Sequence, residues 1–214
     1  MMLGRHMAIA AVVLGGFAMI GAGLVGLTYD TTKARIAANE RAFLLRTLHE
    51  LIPADSHDND MFSDTVEVTS KTLLGSASPL PVYRARVGGR PLAAVMTSIA
   101  PDGYSGAIKL LVAVNYDGEV AGVRVLAHKE TPGLGDGIDA DRSDWIWGFA
   151  GRSLGSPQAQ GWAVKKDGGV FDQFTGATIT PRAVVKAIHR TLKYFDQHKA
   201  EIFATPSEEL AHGG

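Results

Sequence analysis

The segment Thr175-Gly176-Ala177-Thr178 places two hydroxyl groups and two small residues directly before a predicted helix. The backbone N–H groups of a helix's first turn lack partners within the helix, and the helix dipole favours an anion there. Gly176 and Ala177 leave room for a phosphoryl group to approach the Thr178 hydroxyl. The pattern therefore permits a phosphate beside Thr178. From local chemistry alone, however, an ordinary turn followed by a helix N-cap is the stronger interpretation.

The helix after this segment is the best-defined element of the sequence. Thr180 is its predicted N-cap, and Pro181 occupies the first helical position. Apolar residues then recur at helical spacing, namely Val184, Ile188, Leu192 and Phe195. We therefore expect one face of this helix to pack against the rest of a domain, with the threonine segment at its amino end.

Two other glycine-containing segments have the composition of ligand-binding loops. In 130–136, Pro132, Gly133 and Gly135 predict a tight loop whose backbone could lie against a flat ring, with Leu134 as an apolar contact. A plain surface loop would have the same composition. In Asp102-Gly103-Tyr104-Ser105-Gly106, the flanking glycines make Tyr104 the aromatic residue best able to reach a ligand. The remaining candidates, Trp145, Trp147 and Trp162, are better explained as core or interface residues.

The ionisable residues give no convincing acid–base pair. For Glu130, a structural hydrogen-bonding role is preferred to proton transfer. His128 has no second histidine at ligand spacing nearby, which argues against a metal site. Three basic residues flank the threonine segment and are either phosphate partners or simply solvated: Lys165, Lys166 and Arg182.

Four strands in series must lie between the amino-terminal part of the chain and this helix. They are predicted at 82–87, 92–99, 107–115 and 120–127, with turns at Gly88-Gly89 and Asp117-Gly118. Short turns of this kind join antiparallel neighbours. An antiparallel sheet followed by a packed helix defines an α+β domain.

The amino-terminal part of the chain contains a predicted transmembrane helix. Every residue from 7 to 27 is apolar or glycine, and at about 1.5 Å per residue this run covers roughly the ~30 Å hydrocarbon core. It is longer than a secretory h-region and lacks a clear cleavage site, which favours an uncleaved anchor. The expected organisation is an amino-terminal tip at 1–6, the transmembrane helix at 7–27, a helix and irregular connection at 28–80, the main domain at 81–203 and a tail at 204–214.

Within 28–80, residues 30–51 are predicted to form a separate helix that ends before Pro53. Residues 54–81 are predicted to be mostly irregular, with weak strand character at 65–68. The charges around the span do not give a clear orientation. Only Arg5 precedes it, whereas four basic residues follow it: Lys33, Arg35, Arg41 and Arg46. Taken alone, this count argues against an exported domain.

Composition removes several classes of function. The 214-residue chain has a formal net charge of −1, which gives no basic field for nucleic acid. It has no cysteine, which excludes disulfides, thiolate zinc sites, Cys-ligated iron–sulfur clusters and c-type haem attachment. No G-x-G-x-x-G follows a predicted strand, and no P-loop Gly-x-x-x-x-Gly-Lys is present. An electron carrier with this composition would most readily use a flavin.

The segment Asp172-x-x-Thr175-Gly176-Ala177-Thr178 resembles the acceptor motif of FMN-binding domains, in which a flavin transferase esterifies the last threonine. The blocks 128–136 and 102–106 are similar to blocks of the same family. With the single span, the whole chain resembles the G subunits of the Rnf (Rsx) ion-translocating electron transport complexes. The related C subunit of the sodium-translocating NADH:quinone oxidoreductase is the nearest alternative, although its chain is typically longer. A stand-alone membrane-anchored flavin reductase is a second alternative.

The resemblance implies FMN linked covalently through its phosphate to Thr178. It further implies cofactor contacts or loop-ordering roles for ten other residues: Asp172, Thr175, Gly176, Ala177, Thr180, Tyr104, Glu130, Thr131, Gly133 and Leu134. The implied partners are the other Rnf subunits and a flavin transferase, with no nucleic acid and no metal. The implied role is an electron relay without its own substrate site, in a complex that couples electron transfer between ferredoxin and NAD to ion translocation. The flavin domain would lie on the periplasmic side of a bacterial inner membrane.

Overall fold

The computed structural model describes residues 2–204. The chain forms two compact units, with the boundary between Arg46 and Thr47. Met1 of the predicted tip and residues 205–214 of the predicted tail lie outside the described residues.

Helix α1 extends over Met2–Leu51. Its residues up to Arg46 form the first unit, and its last residues, from Thr47, belong to the second unit. The segment Gly4–Leu51 is long and apolar enough to cross a membrane, by length and composition. Its large apolar side chains are exposed, including Val12, Phe17 and Ile20. An apolar helix whose side chains no protein element covers is suited to a lipid environment.

The sequence predicted two helices in this region, and the structure instead has one. The threonines after the apolar run do not interrupt α1, because their hydroxyls bond back into the helix. Thr28 donates to the Leu24 carbonyl at 2.8 Å, and Thr32 donates to the Thr28 carbonyl at 2.7 Å. Helical geometry therefore continues without a break from the apolar segment to Leu51.

The second unit contains a five-stranded antiparallel sheet whose strands follow one another in space as in sequence. The strands are β1 (Thr65–Ser70), β2 (Ser76–Val87), β3 (Arg90–Ala100), β4 (Ile108–Asn115) and β5 (Val120–Ala127). Glycines with positive φ make the β2–β3 and β4–β5 turns, namely Gly88, Gly89 and Gly118. The predicted meander is confirmed.

The predicted irregular connection at 54–81 is wrong in part. It contains β1 and the first half of β2, so the sheet has one strand more than the four that were predicted. The burial of β1 alternates between exposed and half-buried residues, as expected of an edge strand. Its polar residues and the two prolines of β2 weakened the strand signal. An edge strand tolerates polar residues, and the prolines lie in the first half of β2, which pairs with β1 but not with β3.

The centre of the sheet is covered on both faces. Residues 93–96 of β3 and 110–114 of β4 are fully buried without alternation. Helix α2 (Ile179–Phe203) packs on β3 and β4, and it buries the predicted stripe of Val184, Ile188, Leu192 and Phe195. On β5, the last turn of α1 approaches so closely that a Cβ at Gly122 would lie 2.9 Å from Leu51 Cδ2. The α+β prediction of a sheet packed against helices is confirmed.

A buried ion pair fastens the carboxyl end of α2 to the sheet. Arg84 of β2 is 2% exposed, and its guanidinium pairs with Asp64. The same side chain donates to the backbone carbonyls of Ile202 and Ala204 at 3.1 and 2.9 Å. Arg84 thereby satisfies carbonyls that have no partner within the helix.

Candidate functional site

A cleft of about 380 Å³ opens at the amino end of α2. Strands β3 and β5 run in the same direction, so the loops that follow them meet at one end of the sheet, where α2 also begins. The cleft lies within the ~300–1,000 Å³ range of small-molecule sites. Its lining residues are Tyr104, Glu130, Thr131, Leu134, Gly135, Gly176, Ala177, Thr178, Ile179 and Thr180.

Thr178 stands at the N-cap position of α2, in a helical conformation with φ −76° and ψ −27°. Its hydroxyl makes no capping hydrogen bond, and the residue is half-buried at the cleft wall. The preceding turn is closed by a bond from the Ala177 N–H to the Phe174 carbonyl at 3.2 Å, and Gly176 supplies the positive φ of 81° that this turn requires. Thr178 therefore lines the cleft, beside the helix's first N–H groups, and its hydroxyl has no cap partner.

The predicted N-cap role of Thr180 is wrong. The helix begins at Ile179, so Thr180 and Pro181 lie inside the first turn. Thr180 is fully buried, and its hydroxyl donates to Glu130 Oε2 instead of capping the helix. The partner of this hydroxyl lies fifty residues away in sequence, which local capping rules cannot anticipate.

Glu130 joins the three segments that form the cleft. It is 4% exposed, and its Oε1 accepts a hydrogen bond from the Ser105 N–H at 3.0 Å. With Thr180 bonded to Oε2, each carboxylate oxygen accepts one hydrogen bond. The loop after β3, the loop after β5 and the start of α2 are thus held together through a single side chain.

The loop after β5 is held by its own short-range bonds. The Thr131 carbonyl accepts from the N–H groups of Leu134 and Gly135 at 3.1 and 3.0 Å. Behind it, the Glu130 N–H donates to His128 Nδ1 at 3.0 Å, which leaves Nε2 to donate to Asp139 at 2.9 Å. Both ring nitrogens of His128 are therefore used in supporting the loop.

Three apolar side chains around the cleft are exposed. Tyr104, Leu134 and Ile179 are 68%, 47% and 45% exposed, and they line the same cleft as Thr178 from three different segments. Apolar walls combined with a few polar groups at one end are typical of sites for a ligand with an aromatic body and a charged terminus.

Comparison with known proteins agrees with this geometry. A family model for the FMN-binding domain matches residues 103–193, and one for the RnfG N-terminal region matches residues 1–51. A Pseudomonas aeruginosa protein, named as the G subunit of an ion-translocating oxidoreductase complex, is 51% identical over 208 residues, which cover 97% of both chains. The chain belongs to this G-subunit family. Proteins of the same name from Pseudoalteromonas atlantica and Aliivibrio fischeri are 52% and 46% identical, over 92% of this chain and 91% and 94% of theirs.

Membership of the G-subunit family decides between the two flavoprotein families that the sequence resembled. The match to these relatives runs through the anchor helix as well as the domain. The chain is therefore a G-subunit family member with an FMN-binding domain and a membrane anchor, and not a C subunit of the sodium-translocating enzyme.

Eight of the eleven predicted site residues line the cleft, and three do not. Thr175 and Gly133 line an adjoining cavity of about 620 Å³, which Leu134 separates from the cleft. Asp172 lines neither cavity and pairs with Lys165 at 2.6 Å. Its backbone carbonyl accepts from Trp145 Nε1 at 2.7 Å, which fixes the start of the threonine segment.

Three basic residues near the threonine segment have acidic partners: Lys165, Arg182 and Lys186. Arg182 makes two bonds of 2.5 Å to Asp167, and this pairing lowers the pKa of Asp167 and raises that of Arg182. Lys186 pairs with Asp102 at 3.1 Å. None of these residues lines the cleft. The positive end of α2, and not a cationic side chain, is thus the local source of attraction for an anion at Thr178.

The three tryptophans lie away from the cleft lining. Trp145 packs edge-to-face on Phe174 at 5.3 Å, behind the threonine segment. Trp162 is 6% exposed and stacks on His189 at 5.2 Å, and the Arg124 guanidinium lies 3.8 Å from the Trp147 ring centroid. The tryptophans therefore support the domain, and Tyr104 is the aromatic side chain at the cleft.

Two lining residues were not among the predicted contacts. Gly135 is buried, and a Cβ there would lie 2.9 Å from Glu130 Cβ and 3.0 Å from Thr180 Oγ1. Its position in a loop with Gly133 was the available signal. Ile179 lies between the two threonines and is exposed, and an apolar residue beside a helix start gives no sequence signal of its own.

The residues present fit FMN. The phosphate requires an anion site, which the first N–H groups of α2 can provide beside the Thr178 hydroxyl. The ring requires apolar walls, which Tyr104, Leu134 and Ile179 provide. The absence of a Cβ at Gly135 keeps that loop close to Glu130 without filling the cleft.

Proposed function

We propose that this chain carries FMN covalently, through a phosphoester to Thr178. The observation that supports this most directly is the Thr178 hydroxyl: it has no capping hydrogen bond, it stands at a helix start, and it faces the cleft. The other two threonine hydroxyls are less suitable. Thr180 is fully buried and bonded to Glu130, and Thr175 faces the adjoining cavity.

Formation of the ester requires an activated flavin nucleotide and a transferase. The Thr178 oxygen attacks the phosphorus of a flavin dinucleotide, the new P–O bond forms and the anhydride bond breaks. The hydroxyl proton leaves to a base, and a nucleoside monophosphate departs. Asp172 and Thr175, which lie outside the cleft, are suited to recognition by the transferase.

The expected role of the bound FMN is an electron relay. The group accepts and donates electrons, and the residues around it hold it and exclude water from its apolar face. We propose that the complex exchanges electrons between ferredoxin and NAD and couples this to ion translocation, with the other subunits as electron donors and acceptors. Within the cleft-lining residues, only Glu130 is a carboxylate, and both of its oxygens serve as structural acceptors.

The test of the attachment site is the intact mass of the full chain co-expressed with a flavin transferase. Wild type and Thr175→Ala should both carry the FMN mass, although the loaded fraction can differ between them. Thr178→Ala should lose the FMN mass completely. Peptide mapping then identifies the modified residue. An adduct retained in Thr178→Ala, or located on Thr180, contradicts the proposed site. A colourless wild-type protein from the same host contradicts the flavoprotein function.

We further propose that the flavin domain lies on the periplasmic side of the inner membrane. Basic residues after the span argue against this side, but a long domain crosses largely regardless of its charge. A reporter enzyme fused after Gly214 tests the orientation. Activity of a reporter that functions only in the periplasm supports the proposal, and activity of a cytoplasm-specific reporter contradicts it.

A further inference from the structure

Glu130 is a buried carboxylate in the wall of the cleft. It is 4% exposed, and its two oxygens accept hydrogen bonds from the Ser105 N–H and the Thr180 hydroxyl. The structure therefore holds a negative charge against the cleft.

No side-chain ion pair involves this carboxylate in the part of the chain that the structure describes. Within residues 2–204, no ion pair joins Glu130 to a Lys, Arg or His side chain. The basic residues of the nearest helical face are paired elsewhere, Arg182 with Asp167 and Lys186 with Asp102. Among the ten lining residues, none is Lys, Arg or His. The wall at Glu130 therefore carries a negative charge that no side-chain ion pair of the described residues offsets.

Such a field acts on a flavin in a definite direction. The isoalloxazine ring gains negative charge when it takes up two electrons from a partner redox centre and one proton from solvent. A fixed negative charge nearby repels the reduced ring, and it therefore raises the free energy of the reduced form more than it raises the free energy of the neutral oxidised form. The effect is larger in a buried site, because the effective dielectric constant is lower than in water. Charge near the ring is one of the means by which proteins adjust flavin electronics.

We propose that Glu130 lowers the reduction potential of the flavin carried in this cleft. The inference rests on the proposed function, because it requires FMN at Thr178. The hydrogen bonds from Ser105 and Thr180 have a second role here, since they fix the position of the carboxylate at the wall. The same three segments that shape the cleft therefore also position the charge that acts on its contents.

The test is a spectroelectrochemical titration of the full-length, FMN-loaded protein, as wild type and as Glu130→Gln. Glutamine has nearly the same shape and keeps an acceptor oxygen, but it carries no charge. We expect the equilibrium constant for two-electron reduction to rise at least tenfold, which corresponds to about 30 mV for a two-electron couple. Intact mass and a thermal melt of each protein establish that loading and folding are unchanged.

Asp141→Asn is the matched control. It removes one negative charge from the same domain, but Asp141 is exposed and its charge is screened by solvent. We expect less than a twofold change in the reduction equilibrium constant. An equal rise in both variants would overturn the inference, because it would show an effect of net charge alone.

The outcomes distinguish this inference from the proposed function. A wild-type chain without FMN contradicts the proposed function itself. A loaded Glu130→Gln protein with an unchanged or lower potential overturns only the inference. A folded Glu130→Gln chain that cannot be loaded also overturns it, because Glu130 would then act in attachment. If the glutamine variant does not fold, Glu130→Asp is the deciding variant. Aspartate is one methylene shorter, so its charge lies farther from the cleft, and the reduction equilibrium constant should rise by less than the tenfold change expected for glutamine. An unchanged reduction potential in Glu130→Asp would overturn the inference.

Discussion

The Thr180 hydroxyl donates to the carboxylate of Glu130, fifty residues earlier in the chain, whereas Thr178, one helix position before the first turn, has no capping bond. Two threonines separated by a single residue are therefore chemically different. One is committed to a buried contact that closes the cleft, and the other faces the cleft.

Thr180→Val should destabilise the domain. Valine keeps the shape of threonine but removes the hydroxyl donor, which leaves one oxygen of the buried Glu130 carboxylate without its partner. The expected loss is about 1–3 kcal/mol in the free energy of unfolding, measured by denaturant titration of the solubilised chain. Thr175→Val is the control, because Thr175 is exposed. It should change stability by no more than about 0.5 kcal/mol, and a similar loss in both variants would refute the special role of the Thr180 bond.

Gly103→Ala should open the loop after β3. A Cβ at this position would lie 2.2 Å from the Gly106 carbonyl oxygen, so the backbone of the loop has to move. The bond from the Ser105 N–H to Glu130 would then break, and the Ser105 amide should exchange its hydrogen faster than in wild type. Hydrogen exchange followed by mass spectrometry measures this.

The control for that change is Gly148→Ala, where an added Cβ meets nothing within 4 Å. Its Ser105 amide should exchange at the wild-type rate. Unchanged exchange in Gly103→Ala would mean that the loop accommodates the methyl group without losing its contact with Glu130.

Asp64→Ala should be among the most destabilising single changes in the domain. It leaves Arg84, which is 2% exposed, without its ion-pair partner, and Arg86 loses its 2.8 Å bond to the same carboxylate. Loss of one partner of a buried pair typically costs about 3–5 kcal/mol. The melting temperature should fall accordingly. Asp172→Ala breaks the exposed pair with Lys165 and should cost no more than about 1 kcal/mol; equal losses would show that burial does not decide the cost.

His189 should make the domain less stable at acidic pH. Burial lowers its pKa below the ordinary value of 6.5, and the charge of Lys193 lowers it further. The unfolded chain therefore takes up a proton at higher pH than the folded domain does. Stability from this residue is fully present above pH 6.5 and is lost as the pH falls towards the folded pKa.

His189→Phe tests this dependence, because phenylalanine preserves a ring against Trp162 and does not titrate. The difference in melting temperature between variant and wild type, measured from pH 7.5 to 5, should shift in favour of the variant as the pH falls. A constant difference across this range would exclude His189 as a source of the acid sensitivity.

Local patterns were sufficient for the elements but not for the contacts between them. The β-turns at Gly88-Gly89 and Gly118 and the apolar stripe of α2 were predictable, since each depends on residues close in sequence. The role of Thr180 was not, because its partner is supplied by another loop. Strand β1 was underestimated for a related reason: its pairing with β2 provides the stability that its own polar sequence does not indicate.

The same distinction applies to the site. Small residues around Thr178 indicated an accessible hydroxyl, and the structure brings Tyr104, Glu130 and Leu134 to it. Thr175 and Gly133 have similar local signals but face the adjoining cavity, since the backbone turn at 174–177 directs neighbouring residues to different sides. Sequence spacing identifies a segment, whereas the path of the turn determines which of its side chains share a cavity.

The two tight turns at Gly88-Gly89 and Gly118 lie at the end of the sheet opposite the cleft, because they precede β3 and β5, whereas the cleft loops follow these strands. An added Cβ at any of these glycines meets no atom within 4 Å. Their positive φ disfavours a side chain at the glycines themselves, so this end of the domain is a practical location for an inserted epitope or for a fluorophore on a neighbouring turn residue. Spectroscopic probes attached there would report on the protein within its assembled complex while leaving the flavin cleft undisturbed.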